Sequence, residues 1–288
     1  MTMAHSYSII IPFYGTKEVL EKTLLHIQRT DYRSKEIIIV NDGTNLQLDT
    51  LASAYGAKLI NHPFRRGPSA ARNSGASAAQ FDHLVFLDSD VYIPEGTFRQ
   101  IDFFLDKHQD VNVLNCSLSP RCLYRDFISR FINLYFSYTI KRKGSQELFT
   151  AFCIIKSRIY RKAGGFDEQN DLPYADDEIL GWKLSDQKCK FAYLPGINAV
   201  HDKHMNFSSY VRWNLKHRYY RTMYYFIYRK RLQKIHKAFP IVGPGFLIYT
   251  QRREGIAFAL LCAAFLFLHH GIGLAGHIAG FFAAIRNS

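Results

Sequence analysis

Between Lys203 and Arg253 the chain has no Asp or Glu, although twelve Lys and Arg residues fall in that window. A helix laced by its own salt bridges is therefore excluded there. Tyr210, Trp213, Tyr219, Tyr220, Tyr224, Tyr225, Phe226 and Tyr228 are interleaved with the cations. Basic and aromatic residues mixed in this way face either nucleic acid or an anionic membrane surface. The next stretch, Gly255 to Ile285, lacks charge altogether apart from His269, His270 and His277. As a helix it measures about 45 Å at 1.5 Å per residue, against a hydrocarbon core of about 30 Å. One tilted span, a short hairpin turning at His269–Gly273, or a soluble buried pair would each accommodate it. Beside a basic-aromatic collar, membrane attachment is the stronger expectation, nucleic acid is not expected, and the positive-inside rule puts the collar and what precedes it on the cytoplasmic side. Paired cysteine spacing is also missing: Cys116, Cys122, Cys153, Cys189 and Cys262 read as reduced thiols. No apolar leader precedes the first strand.

What is present is ample core material, with 48% of the 288 residues hydrophobic. Ser8–Pro12 is a β-branched run stopped by proline. Leu20, Leu24 and Ile27 give helical spacing after Thr16, a fair N-cap. Glu36–Val40 reads as a second buried strand ending in Asn41-Asp42-Gly43-Thr44, a helix follows through Leu51–Tyr55, and Lys58–Ile60 is a third strand. Alternating strands and helices predict a mostly parallel sheet flanked by helices, with ligands beyond the strands' carboxyl ends. Gly67-Pro68 and the Ala-rich run after it predict a loop entering a helix, whose N-terminus flanked by arginines favours anions.

Leu84–Leu87 is an apolar strand ending in Asp88-Ser89-Asp90. Alternation sends both carboxylates to one face, where they repel unless a cation joins them. Mg²⁺ or Mn²⁺ shared with a diphosphate meets that need. A turn residue followed by a helix cap would account for Asp88 and Asp90 on their own.

Four segments in order, Ser8–Tyr14, Glu36–Thr44, Ala71–Gly75 and Phe86–Asp90, together resemble the nucleotide-binding half of family 2 glycosyltransferases. The resemblance implies a GT-A, Rossmann-like α/β fold, an inverting mechanism and a nucleotide-sugar donor. It implies that Pro12 and Tyr14 line the base pocket, that Asp42 bonds the base, and that Phe13, Asn41, Gly67, Arg72 and Asn73 belong to the nucleotide-sugar site. Asp88, Ser89 and Asp90 then face the ribose and the metal–diphosphate. The sequence departs from the family at Gly15, where Asn is common, and at Asn41, where a first Asp is common.

In the second half, Gly164-Gly165-Phe166-Asp167-Glu168 precedes Asp176-Asp177-Glu178 and Leu180-Gly181-Trp182-Lys183-Leu184. A helix dipole explains one or two of the three acids. The family resemblance makes Asp177 the general-base candidate, with Asp176 beside it, because a sugar hydroxyl needs a carboxylate to take its proton. By the same resemblance His201 is a third metal ligand, with His204 the fallback. Arg212-Trp213 resembles the Arg-Trp of processive synthases, but Ser209 stands where their Gln would be. The chain divides into a catalytic domain over 1–205, with halves 1–92 and 93–205, and a membrane-associated helical region over 206–288. The expected activity is transfer of one sugar from a UDP- or GDP-sugar to a hydroxyl of a lipid-linked or cell-surface glycan precursor. The alternatives are a polyprenyl-phosphate glycosyltransferase and a non-catalytic membrane adaptor.

Overall fold

A computed structural model describes residues 5–30, 32–168, 175–227 and 244–286. Pro173 and Tyr174, and the basic positions between Tyr228 and Lys237, lie outside the described residues. The chain divides into two compact units. The first comprises Met1–Leu123, Thr139–Asp171 and Asp176–Lys203; the second comprises Tyr124–Tyr138, Leu172–Ala175 and His204–Ser288.

The first unit is an eight-stranded sheet with helices. In chain order its elements are β1 (Tyr7–Phe13), α1 (Lys17–Arg29), β2 (Lys35–Asn41), α2 (Asp49–Ala54), β3 (Lys58–Asn61), α3 (Pro68–Ala78), β4 (His83–Leu87), β5 (Val91–Tyr92), α4 (Thr97–Lys107) and β6 (Val113–Leu118). After α5 (Phe127–Lys143), whose residues are divided between the two units, come β7 (Phe152–Lys156), α6 (Ser157–Lys162), α7 (Asp176–Asp186) and β8 (Phe191–His201). The sheet order is β3-β2-β1-β4-β7-β6-β8-β5. The first four strands are mutually parallel, as are β6 and β8, whereas β7 and β5 run against their neighbours. The continuous apolar runs Ile9–Ile11, Ile37–Val40 and Leu84–Leu87 are buried on both faces, as a covered parallel sheet requires. Each such side chain contributes about 1.5–3 kcal/mol on burial.

One local expectation changes: Thr16 sits at the N-cap of α1, but its hydroxyl makes no cap bond. β8 runs on through Pro195 to His201. A two-residue strand, β5, pairs with it, Val91 opposite His201.

The second unit is helical: α8 (Phe207–Ile227), α9 (Pro244–Glu254), α10 (Ile256–Arg286) and the first part of α5. Phe131, Leu134, Tyr210, Phe246, Cys262 and Leu266 are among its core. α10 is one unbroken helix, so the hairpin at His269–Gly273 is not formed.

Candidate active site

The parallel strands end at the loops the sequence singled out. After β1, Tyr14 is 55% exposed, with the Arg65 guanidinium 4.0 Å above its ring centre. Pro12 is half-buried. Phe13 turns inward: its side chain is only 1% exposed, packed in the core, and its carbonyl accepts the Asp42 N–H.

Asp42 is buried and engaged. Its Oδ1 lies 2.9 Å from His62 Nδ1 and accepts the Arg66 N–H at 2.9 Å, while Oδ2 accepts the Gly67 N–H at 2.8 Å. Gly67 precedes α3, which starts at Pro68. The anion at this helix start is therefore Asp42 itself, and a carboxylate with about four acceptor positions retains one. Asn41 is likewise committed to its own turn: Oδ1 accepts from the Thr44 N–H and hydroxyl, and Nδ2 donates to Asn61 Oδ1 and the Thr44 carbonyl.

Asn73 is engaged by the protein itself. Its Nδ2 donates to the Phe166 carbonyl at 3.0 Å and Glu168 Oε1 at 2.6 Å. Its Oδ1 accepts the Phe166 N–H and the Tyr160 hydroxyl. All the hydrogen-bonding positions of an amide are used, so Asn73 latches the Gly164–Glu168 turn and has no group left for a donor. Gly165 in that turn has φ 65°, and a Cβ there would lie 2.7 Å from Asn73 Oδ1.

Arg72, one residue earlier on α3, is buried and joins two acids. Nη2 donates to Asp88 at 2.9 Å and Nη1 donates to Asp176. Asp176 is thereby committed to an ion pair. Asp177, the next residue, is half-buried, and its Oδ1 accepts the Glu178 N–H. Burial, reinforced by Asp176 and Glu178 and only partly opposed by Arg72, pushes its carboxyl well above the usual carboxylate range. A carboxylate so placed holds a proton more readily, as a base needs.

The strand-end acids are set by the turn after β4. The Thr23 hydroxyl on α1 donates to the Ser89 carbonyl at 2.6 Å, and Val91 N–H donates to the Asp88 carbonyl. The β5–β8 pairing then brings in His201, whose Nε2 lies 3.3 Å from Asp90 Oδ1, with Lys203 Nζ 3.9 Å from Oδ2. Burial would raise the Asp90 carboxyl, but His201 and Lys203 outweigh it and hold it at about 2. One ligand atom each from Asp88, Asp90 and His201 lie within 4.8 Å of one another. Two hard carboxylates and an imidazole fit a divalent cation such as Mn²⁺ or Mg²⁺. His204 lies instead 3.7 Å from Asp126 in the second unit. Sequence reasoning missed the Asp42–His62 pairing and the two-acid grip of Arg72, because neither joins residues close in the chain.

Known proteins share this arrangement of chain. A structural neighbour over the whole chain is the mannosyltransferase PcManGT from Pyrobaculum calidifontis, solved in complex with GDP-Man and Mn²⁺. The TM-score is 0.63 at 16% identity, over 100% of this chain and 89% of that one. The fold is the GT-A-like α/β fold, with its mostly parallel sheet. Residues 8–164, more than half of the chain, match the family described as glycosyl transferase family 2. The chain belongs to that family. The pre-mycofactocin glycosyltransferase of Mycobacterium tuberculosis is 26% identical over 210 residues, covering 68% of this chain and 42% of that protein. The GalNAc(5)-diNAcBac-PP-undecaprenol beta-1,3-glucosyltransferase of Campylobacter jejuni is 30% identical over 103 residues, 33% of this chain and 32% of that protein. The chain thus spans about two fifths of the first of these relatives and a third of the second.

Proposed function

We propose that this protein is a membrane-attached, metal-dependent inverting glycosyltransferase that moves one sugar from a UDP- or GDP-sugar to a hydroxyl of a lipid-linked or cell-surface glycan precursor. The observation that carries the reading is the pairing of a three-ligand cluster, Asp88, Asp90 and His201, with a carboxyl at Asp177 tuned toward proton uptake, both clustered about Arg72. Asp177 takes the acceptor proton as the new O–C bond forms at the anomeric carbon. The bond to the diphosphate breaks on the far side, giving inversion. Asp88, Asp90 and His201 would hold a divalent cation, which when bound supplies counter-charge to the departing diphosphate. Arg72 fixes Asp88 and Asp176, so that the donor and acceptor sides keep one geometry.

On the donor side, Tyr14 with Arg65 and the half-buried Pro12 offer a shelf for the base, and the remaining acceptor position of Asp42 is available to it. Catalysis is assigned to residues 1–205 and membrane attachment to 206–288, with the catalytic part on the cytoplasmic face. The apolar helix α10 and the acid-free basic stretch before it support an acceptor held at a membrane.

The deciding experiment screens UDP-, GDP- and dTDP-sugars with purified protein in detergent, under Mn²⁺, Mg²⁺ or EDTA, with Asp90→Ala alongside. Turnover of one donor, lost with EDTA and in Asp90→Ala, is expected. Absence of binding and turnover for every donor under every metal would overturn the reading.

A further inference from the structure

Helices α8 and α10 run side by side in the same direction. The Tyr210 hydroxyl lies 2.6 Å from His269 Nδ1, Thr222 Oγ1 lies 2.6 Å from His277 Nδ1, and Phe226 packs on Phe281 with ring centres 5.4 Å apart. Between these contacts, the carbonyls of Leu215 and Tyr219 rest on Gly276 and Gly280, where an added Cβ would come within 2.6 and 2.5 Å of the oxygens. Residues 210–226 of α8 are thus level with the second half of α10.

The two helices show opposite outer faces. On α10 every exposed position from Ile256 to Phe282 is Ala, Gly, Leu, Ile or Phe, a stripe about 40 Å long at 1.5 Å per residue. The side with Cys262, His269 and Gly276 is buried. On α8, Tyr210, Asn214 and Arg218 are buried. Arg212 and Lys216 are exposed, and a shift of two residues from Tyr210 and Asn214 places them about 200° round that helix. The pair is a layer two helices thick, hydrocarbon on one surface and cationic on the other.

We infer that α10 lies in the plane of one leaflet of an anionic membrane, its exposed stripe among the acyl chains, and does not cross the bilayer. This rests on the membrane-attached reading above. A crossing α10 would carry α8 to the same depth and place exposed Arg212 and Lys216 in hydrocarbon, with no Asp or Glu between Lys203 and Arg253 to meet them. In the plane, those cations face water. Arg252 and Arg253 before the stripe and Arg286 after it are exposed where lipid phosphates lie.

The test uses the full chain with a C-terminal epitope tag, in sealed inside-out membrane vesicles from expressing cells. Protease added outside should remove the tag together with the catalytic domain. A digested catalytic domain with a protected tag would show a span, overturning this inference while leaving membrane attachment intact. Recovery of the protein in the soluble fraction would overturn both. The triple variant Leu260→Asp, Phe267→Asp, Leu274→Asp, checked for folding by circular dichroism, should bind vesicles containing phosphatidylglycerol at least tenfold less than the wild type. Equal binding, or a stable dimer in lipid-free buffer that shields the stripe, would overturn the inference.

Discussion

Asp88 and Asp176 are held by the two terminal nitrogens of one guanidinium, that of Arg72. The two acids come from a strand end and a helix start far apart in the chain, and the arginine between them is buried. Removing it leaves two carboxylates without their counter-charge. Arg72→Ala should lose about 3–5 kcal/mol of stability in urea unfolding. Arg72→Lys keeps the charge but not the fork, so it should fold better than Arg72→Ala and still lose most transfer activity.

On the proposed reading, Asp177 carries the pH dependence of the chemical step. Its raised carboxyl means that kcat should fall, as pH drops, at a higher pH than the ordinary carboxylate value near 4. Asp177→Asn should lower kcat by about 10²–10⁴-fold with donor affinity retained. The stability effect has the opposite sign. The folded state holds this proton more tightly than the unfolded chain, so ionisation opposes folding as pH rises above the unfolded value. Asp177→Asn should therefore melt above the wild type near neutral pH. A variant of full activity would remove Asp177 from the role.

Asn73 separates a latch from a donor ligand. Asn73→Ala leaves the Phe166 N–H and the Tyr160 hydroxyl without their acceptor, which should cost about 1–3 kcal/mol or more. The Kd for the nucleotide-sugar, measured by calorimetry at a temperature where the variant is folded, should change less than threefold.

His83 sets part of the acid limb of stability. It is 9% exposed on β4, with the His5 ring edge-on at 5.0 Å. Burial, with His5 and Lys156 adding to it, lowers its imidazole to about 4. The unfolded chain takes up this proton near 6.5 and the folded state does not, so stability is lost as pH falls from about 6.5 to about 4, by at most about 3 kcal/mol. His83→Gln should flatten unfolding free energy across that window. An unchanged slope would place the proton uptake elsewhere.

Much of the fold was legible because parallel strands buried on both faces write themselves as apolar runs, and Ile9–Ile11, Ile37–Val40 and Leu84–Leu87 are such runs. Asp88 and Asp90 were legible because acids ending a buried strand contradict their surroundings. The placement of His201 came from resemblance alone. The feature that puts it beside Asp90 is a pairing of two residues, Val91 and Tyr92, too short to show any period. Asn73 and Phe13 are both engaged by the protein itself: motif membership marks a position as constrained but does not say whether a ligand or the protein's own backbone imposes the constraint. The C-terminal run was read as apolar, but the close approach of α8 at Gly276 and Gly280 is a contact between segments that composition does not record.

The edge pairing of β5 with β8 also gives the protein a temporal order. Both carboxylates emerge early in synthesis, but the imidazole opposite Val91 arrives more than a hundred residues later, on the last strand. A nascent chain halted before that strand would have a nearly complete nucleotide half and an incomplete cation cluster. On the proposed reading, competence would appear only when the sheet closes, and unfinished chains would not consume activated sugar.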